Sequence, residues 1–155
     1  MKSYIKLGLA IIICLGAGAL GSLFTAPAIG SWYTELVKPV GNPPSWVFGP
    51  VWTTLYILMG IALYLVWVSG ASNAKKSAIK LFAVQLILNA VWSPVFFGLQ
   101  NVGAALVVIV LLWLAILATI ITFAKISKTA AWLLVPYILW VSYATYLNAS
   151  IYVLN

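Results

Sequence analysis

The sequence predicts an all-α membrane protein, a five-transmembrane-helix bundle with a long structured loop between helices 1 and 2. Three observations carry that prediction. Of the 155 residues, 65% are hydrophobic and 6% charged, whereas soluble domains carry about 25% charged residues. The mean hydropathy is +1.16. Apolar runs long enough to cross a bilayer as helices recur five times, without the two-residue alternation of a β-barrel strand. The spans and their connections use up the chain, so residues 1–155 read as one domain.

The first span falls at about 7–26. Met1 to Lys6 followed by an apolar stretch and Thr25-Ala26-Pro27-Ala28 imitates a secretory signal, but the stretch exceeds the roughly 7 to 15 residues of a signal core. Pro27 before Ala28 is also a poor cleavage context, so the segment is expected to stay as a span. Cys14 follows Ile13 rather than the small residue of a lipoprotein signal and reads as a buried thiol. Ala10, Cys14, Gly18 and Ser22 form a small-residue stripe for close packing, within the protomer or across a dimer.

The first connection carries Trp32, Tyr33, Glu35, Lys38, Pro39, Pro43 and Pro44. The paired prolines bar helix before Ser45, which is expected to cap the second span at about 46–68. That span brings Trp52 and Tyr56, one turn apart. In the third span, about 79–98, Gln85, Asn89, Trp92 and Phe96 recur at one helical face. The fourth, about 103–124, holds Trp113 with no polar companion, packing or facing lipid. The fifth, about 130–153, repeats the polar and aromatic face with Tyr137, Trp140, Ala144, Leu147 and Asn148. Trp46, Trp67 and Trp132 lie at span ends, where anchoring tryptophans are expected.

All eight basic residues are lysines. Five alternating spans place Lys2, Lys6, Lys75, Lys76, Lys80, Lys125 and Lys128 on one side and Lys38 on the other. The positive-inside rule then makes this a multi-pass cell-membrane protein with a cytoplasmic N-terminus and an outside C-terminus. The net charge of +7 reads as topology signal and attraction to a lipid bilayer, not as a nucleic-acid footprint. With no histidine or arginine, one cysteine and Glu35 as the single acid, carboxylate-pair hydrolysis, histidine triads and cysteine or histidine metal sites are excluded. No cofactor is required on this reading. Aromatic rings, amides, hydroxyls and backbone remain.

Asparagine within lipid needs a partner, so the polar faces should point inward, as helix glue or as a ligand site. Trp52 and Trp92 each lie six residues from the outer end of a span, about 9 Å deep. Ala144, Leu147 and Asn148 reach a similar depth. Aromatics and amides of three helices therefore meet at one level beneath the first connection, which reads as a lidded cavity. The candidate ligand-binding residues are Tyr33, Pro43, Trp52, Tyr56, Asn89, Trp92, Trp140, Ala144, Leu147 and Asn148. Lys38 above them reads first as a solvated charge and second as a partner for a ligand carboxylate.

Four motifs in order, W-Y-x-x-L-x-K-P, P-P-x-W-V-x-G-P-V-W, L-N-x-x-W-x-P-x-F-F-G and A-T-x-L-N, span Trp32 to Asn148. Together they resemble the translocator protein family, also called TspO/MBR or the peripheral benzodiazepine receptors. The lysine-rich inner loops point to a bacterial member. The resemblance implies a five-helix bundle, usually a homodimer. It also implies a protein that binds protoporphyrin IX and synthetic ligands of the isoquinoline carboxamide and benzodiazepine type, as sensor or scavenger. By motif, the pocket would use Trp52, Asn89, Trp92, Trp140, Ala144 and Leu147. Bacterial members are also associated with light- and oxygen-dependent porphyrin breakdown, for which Trp52 and Trp140 are the candidate catalytic residues, with porphyrin as substrate. The sterol consensus of animal members would need a basic residue after Tyr152, where Val153, Leu154 and Asn155 stand, so sterol binding is not expected. A transporter of porphyrins or other small hydrophobic molecules is the alternative. It is less supported, because no intramembrane charge, broken-helix pair or inverted repeat appears.

Overall fold

The computed structural model describes residues 2–155. Met1, which opens the signal-like segment, lies outside the described residues. Helix α1 covers Ser3–Ile29, α2 Phe48–Trp67, α3 Asn73–Ser93 and α4 Val102–Ala124. The fifth span is made by α5, Lys128–Leu133, and α6, Val135–Leu154. All five spans are long and apolar enough to cross a membrane.

The ends of these helices follow from local chemistry, and several differ from the sequence expectation. Helix α1 is longer than expected, because Pro27 sits in its last turn and removes only one backbone donor there. Ser72 caps α3 by accepting from the Lys75 N–H at 3.0 Å, so the helix starts at Asn73, among polar residues that the apolar count left out. Asn101 caps α4 by accepting from the Ala104 N–H at 3.0 Å. Ser45 does not cap α2. It opens a 3-10 turn, Ser45–Val47, and α2 begins after Val47 with no side-chain cap. The fifth span is not one helix: it breaks at Leu134, ahead of Pro136, whose ring nitrogen cannot donate to the preceding turn.

The end of α3 has the largest consequence. Pro94 lacks an N–H and crowds the carbonyl one turn back, and the chain widens into a π-helical turn over Pro94–Gly98. The Leu99 N–H reaches the Pro94 carbonyl at 2.8 Å, five residues back. Phe96 and Phe97 both end up buried, with ring centroids 4.7 Å apart.

In the bundle α1 packs on α2 and α3, α3 on α4, α4 on α6, and α2 on α5. Three residues of the small-residue stripe of α1 pack within the protomer, while Ser22 is exposed. Ala10 and Cys14 are fully buried, and a Cβ at Gly18 would come within 2.4 Å of the Tyr56 ring. From the other side, a Cβ at Gly60 would lie 2.6 Å from the Ile11 Cα. The main core runs through α1 to α6, and a second cluster of Ala28, Tyr33, Phe96, Phe97, Ala105 and Ile151 closes the loop end.

Between α1 and α2 the chain makes a 3-10 turn at Trp32–Glu35, turns again at Gly41, whose φ of +86° suits glycine, and reaches α2 through the 3-10 turn Ser45–Val47. The segment is tied to α6. The Tyr143 hydroxyl donates to the Gly41 carbonyl and the Tyr146 hydroxyl to the Val40 carbonyl at 3.5 Å. The Asn155 amide pairs with both backbone groups of Val37, accepting at 3.1 Å and donating at 2.9 Å.

Candidate functional site

A cavity of about 340 Å³ lies in the half of the bundle nearest this segment. Nine of the ten candidate residues line it: Tyr33, Trp52, Tyr56, Asn89, Trp92, Trp140, Ala144, Leu147 and Asn148. Pro43 does not. It sits half-buried outside the lining, two residues after the turn at Gly41, with its carbonyl accepting from Asn42 Nδ2 at 3.3 Å.

Aromatic rings make much of the wall. Trp52 stacks on Tyr56 at 5.7 Å and meets Tyr137 edge-on at 6.3 Å. Trp92 stacks on Phe96 at 5.0 Å, and Trp140 meets Phe48 edge-on at 6.2 Å. These offset and T-shaped contacts suit the aromatic quadrupole and hold each ring by its neighbours.

Behind the rings runs a hydrogen-bond chain. The Tyr56 hydroxyl donates to Asn89 Oδ1 at 2.5 Å, Asn89 Nδ2 to the Tyr137 hydroxyl at 2.8 Å, and Tyr137 to Gln85 Oε1 at 2.7 Å. Three helices are thereby joined through Asn89, which acts as helix glue as well as cavity wall. Gln85 itself does not line the cavity, and its Nε2 has no partner. Asn148 is held likewise, accepting from Trp92 Nε1 and donating to the Val102 carbonyl, both at 3.0 Å. The Trp140 indole N–H is buried without an acceptor.

Loop chemistry completes the site. Tyr33, 4% exposed, shares a reciprocal hydrogen bond with Asn42. Burial pushes its hydroxyl above the ordinary tyrosine range, while the bond to Asn42 works the other way, so the ring stays neutral at physiological pH.

Sequence reasoning missed two walls. Helix α1 contributes Leu15, Gly18, Gly21, Ser22 and Thr25, and α4 contributes Ile109 and Leu112. Neither helix carries an aromatic or amide cluster at this level, so their residues look like packing. The α1 small residues were the available signal. Ser93 binds the Gly21 carbonyl at 2.9 Å and Thr25 Oγ1 at 2.5 Å, which fixes α1 against α3 beside the cavity. Trp113 also differs from expectation, since its indole N–H donates to Ser142 Oγ at 2.8 Å.

Two properties decide what the cavity can hold. No charged side chain is among its lining residues. Ala19 and Ser22 of α1, with Gly49 and Thr53 of α2, line it and are also exposed, so it reaches the bundle surface between those helices. An uncharged, aromatic chamber of this kind admits a flat, largely apolar molecule. Among the described residues no group of three His, Cys, Asp or Glu side chains comes together to hold a metal ion.

Comparison with known proteins agrees with this architecture. The TspO/MBR family model matches residues 10–154. The tryptophan-rich protein TspO of Chlorobaculum tepidum is 50% identical over 99% of this chain and 98% of its own. The translocator protein of Homo sapiens is 41% identical over 86% of this chain and 80% of its own. The tryptophan-rich sensory protein of Cereibacter sphaeroides is 38% identical over 95% of this chain and 90% of its own. With a family match covering nearly the whole chain and full-length relatives at these identities, the protein belongs to the TspO/MBR family.

Proposed function

We propose that this protein binds a tetrapyrrole such as protoporphyrin IX in the aromatic cavity, as a sensor or scavenger. Isoquinoline carboxamide and benzodiazepine-type compounds would occupy the same space. The observation that carries the reading is the enclosure of one uncharged chamber by Trp52, Trp92, Trp140, Tyr56 and Phe96. Flat aromatic ligands gain both apolar burial and ring contacts against such walls. The name "sensory protein" borne by the Cereibacter sphaeroides relative is in keeping with a signalling role.

Absorbance titration of the purified protein with protoporphyrin in the dark tests this. Ala144→Phe adds a phenyl ring at a half-buried wall position and is expected to weaken binding roughly tenfold or more. Trp132→Phe, at an exposed tryptophan away from the cavity, should leave it unchanged. Unaltered affinity in Ala144→Phe would place the ligand elsewhere.

Under illumination, the proposed activity is oxidative breakdown of the bound ring. The excited macrocycle and dioxygen supply the oxidising power, while Trp52 and Trp140 exchange an electron with the ring and the walls hold it in place. Orientation is part of the proposal. Seven lysines cluster on one side of the five spans against Lys38 on the other, so the N-terminus is cytoplasmic. A reporter fused after Asn155 is expected outside the cytoplasm, and cytoplasmic signal from it would reverse the orientation.

A further inference from the structure

The end of the bundle away from the cavity carries Lys2, Lys6, Lys75, Lys76, Lys80, Lys125 and Lys128. No acid opposes them, since Glu35, the single acid of the chain, sits in the turn between α1 and α2 at the other end. Lys2, Lys76, Lys80, Lys125 and Lys128 are exposed, and water screens them. Lys6 and Lys75 are half-buried, and both meet the same residue. Lys6 Nζ lies 5.9 Å from the centroid of the Trp67 ring, and Lys75 Nζ donates to the Trp67 carbonyl at 2.7 Å and the Ser69 carbonyl at 2.9 Å. Neither ammonium has a negative partner.

The two lysines differ in what the fold itself asks of them. Lys75 satisfies carbonyls left open where α2 ends, which uses two of its three N–H groups and leaves one. Lys6 has only a ring face at the edge of useful cation–π reach. It also stands near the start of α1, where the helix dipole disfavours a cation. A partly desolvated charge so placed is costly without an anion beside it. Below Lys6 on the same helical face come Leu9 and Ile13, one and two turns on, and both are exposed. The Ser3 and Tyr64 hydroxyls, 2.9 Å apart, close the seam between α1 and α2 at this level.

We propose that the seam of α1 and α2 at Trp67 is a binding site for an anionic phospholipid. The lipid phosphate lies between the Lys6 ammonium and the free N–H of Lys75, and an acyl chain runs along Leu9 and Ile13. Trp67, at the end of its span, stands at headgroup level. A choline or ethanolamine headgroup would bring a cation to an end that has no acid to meet it, so the site selects a headgroup with net negative charge. This site is separate from the aromatic cavity, and its failure would leave the cavity reading untouched.

Native mass spectrometry of the full-length protein in neutral detergent, titrated with phosphatidylglycerol or with phosphatidylcholine of the same chain length, tests the assignment. The parent is expected to retain phosphatidylglycerol roughly tenfold more tightly, the size of one charge-assisted contact. Lys6→Gln and Lys75→Gln should each lower that preference severalfold while leaving phosphatidylcholine retention in place, and Lys6→Arg should keep it. Lys76→Gln removes an exposed charge next to Lys75 and should change little. Excess inorganic phosphate should not displace the lipid. Equal retention of the two lipids, or a preference that survives Lys6→Gln, overturns the site. An equal loss in Lys76→Gln and Lys6→Gln would reduce it to diffuse attraction and overturn it too. Displacement of the lipid by inorganic phosphate would make the occupant a free anion and overturn the lipid assignment.

Discussion

Replacing Gly60 by alanine is expected to destabilise the bundle by about 1–3 kcal/mol, toward the upper end. The added Cβ would lie 2.6 Å from the Ile11 Cα and 2.9 Å from its nitrogen. These are backbone atoms of α1, so no side-chain rotation relieves the clash and the two helices must separate. Separation would also loosen Cys14 and Ala10 against α2, where they are now fully buried. Thermal unfolding in detergent should show a drop of several degrees, at roughly 2–4 °C per kcal/mol for a chain of this size. Gly16 provides the opposite case on the same helix pair. Nothing lies within 4 Å of a Cβ built there, so Gly16→Ala should be neutral or stabilising by the helix propensity gained, at most about 1 kcal/mol. If both variants melt with the parent, the close approach of α1 and α2 is not what holds them together.

Trp52→Phe and Trp140→Phe are expected to separate binding from photochemistry. Phenylalanine keeps an aromatic surface and most of the buried area, so dark binding of protoporphyrin should weaken by only about 1 kcal/mol. Breakdown under illumination should fall far more, by an order of magnitude or beyond, because a phenyl ring gives up an electron much less readily than an indole. Trp52 is the stronger case, since it stacks on Tyr56 and touches Tyr137, so an electron lost from its ring has neighbouring phenols to draw on. Trp140 sits between Phe48 and Tyr143. Degradation at the parent rate in both variants would reduce the tryptophans to packing and leave a binding protein whose ligand decays by itself.

Much of the candidate site is legible in the amino-acid sequence, for a physical reason. Amide side chains in a lipid-spanning helix must turn inward, so Asn89 and Asn148 declare their faces, and helical spacing puts Trp92 and Trp140 with them. Equal distance from a span end then sets equal depth. Small apolar residues send no such signal. Ile109 and Leu112 serve equally well against lipid or in a cavity, and Gly18 and Ser22 read as packing because they are used for packing too. The role of Asn89 is open in the sequence for the same reason. Amide chemistry demands a partner without saying whether it is a ligand or the hydroxyls of Tyr56 and Tyr137.

By itself, the sequence determined the solvent, the number of spans, the family resemblance and the inward faces of α3 and α6. These depend on residue type and on periods of one or two helical turns. Tertiary structure alone decided the rest. The π-turn at Pro94 buries Phe96 and Phe97 together, α1 closes the cavity beside α2, and Lys38 rests on Tyr33 instead of in solvent. Each of these depends on how far one helix or loop stands from another, a distance set by the sum of all the packing contacts and carried by no single stretch of residues.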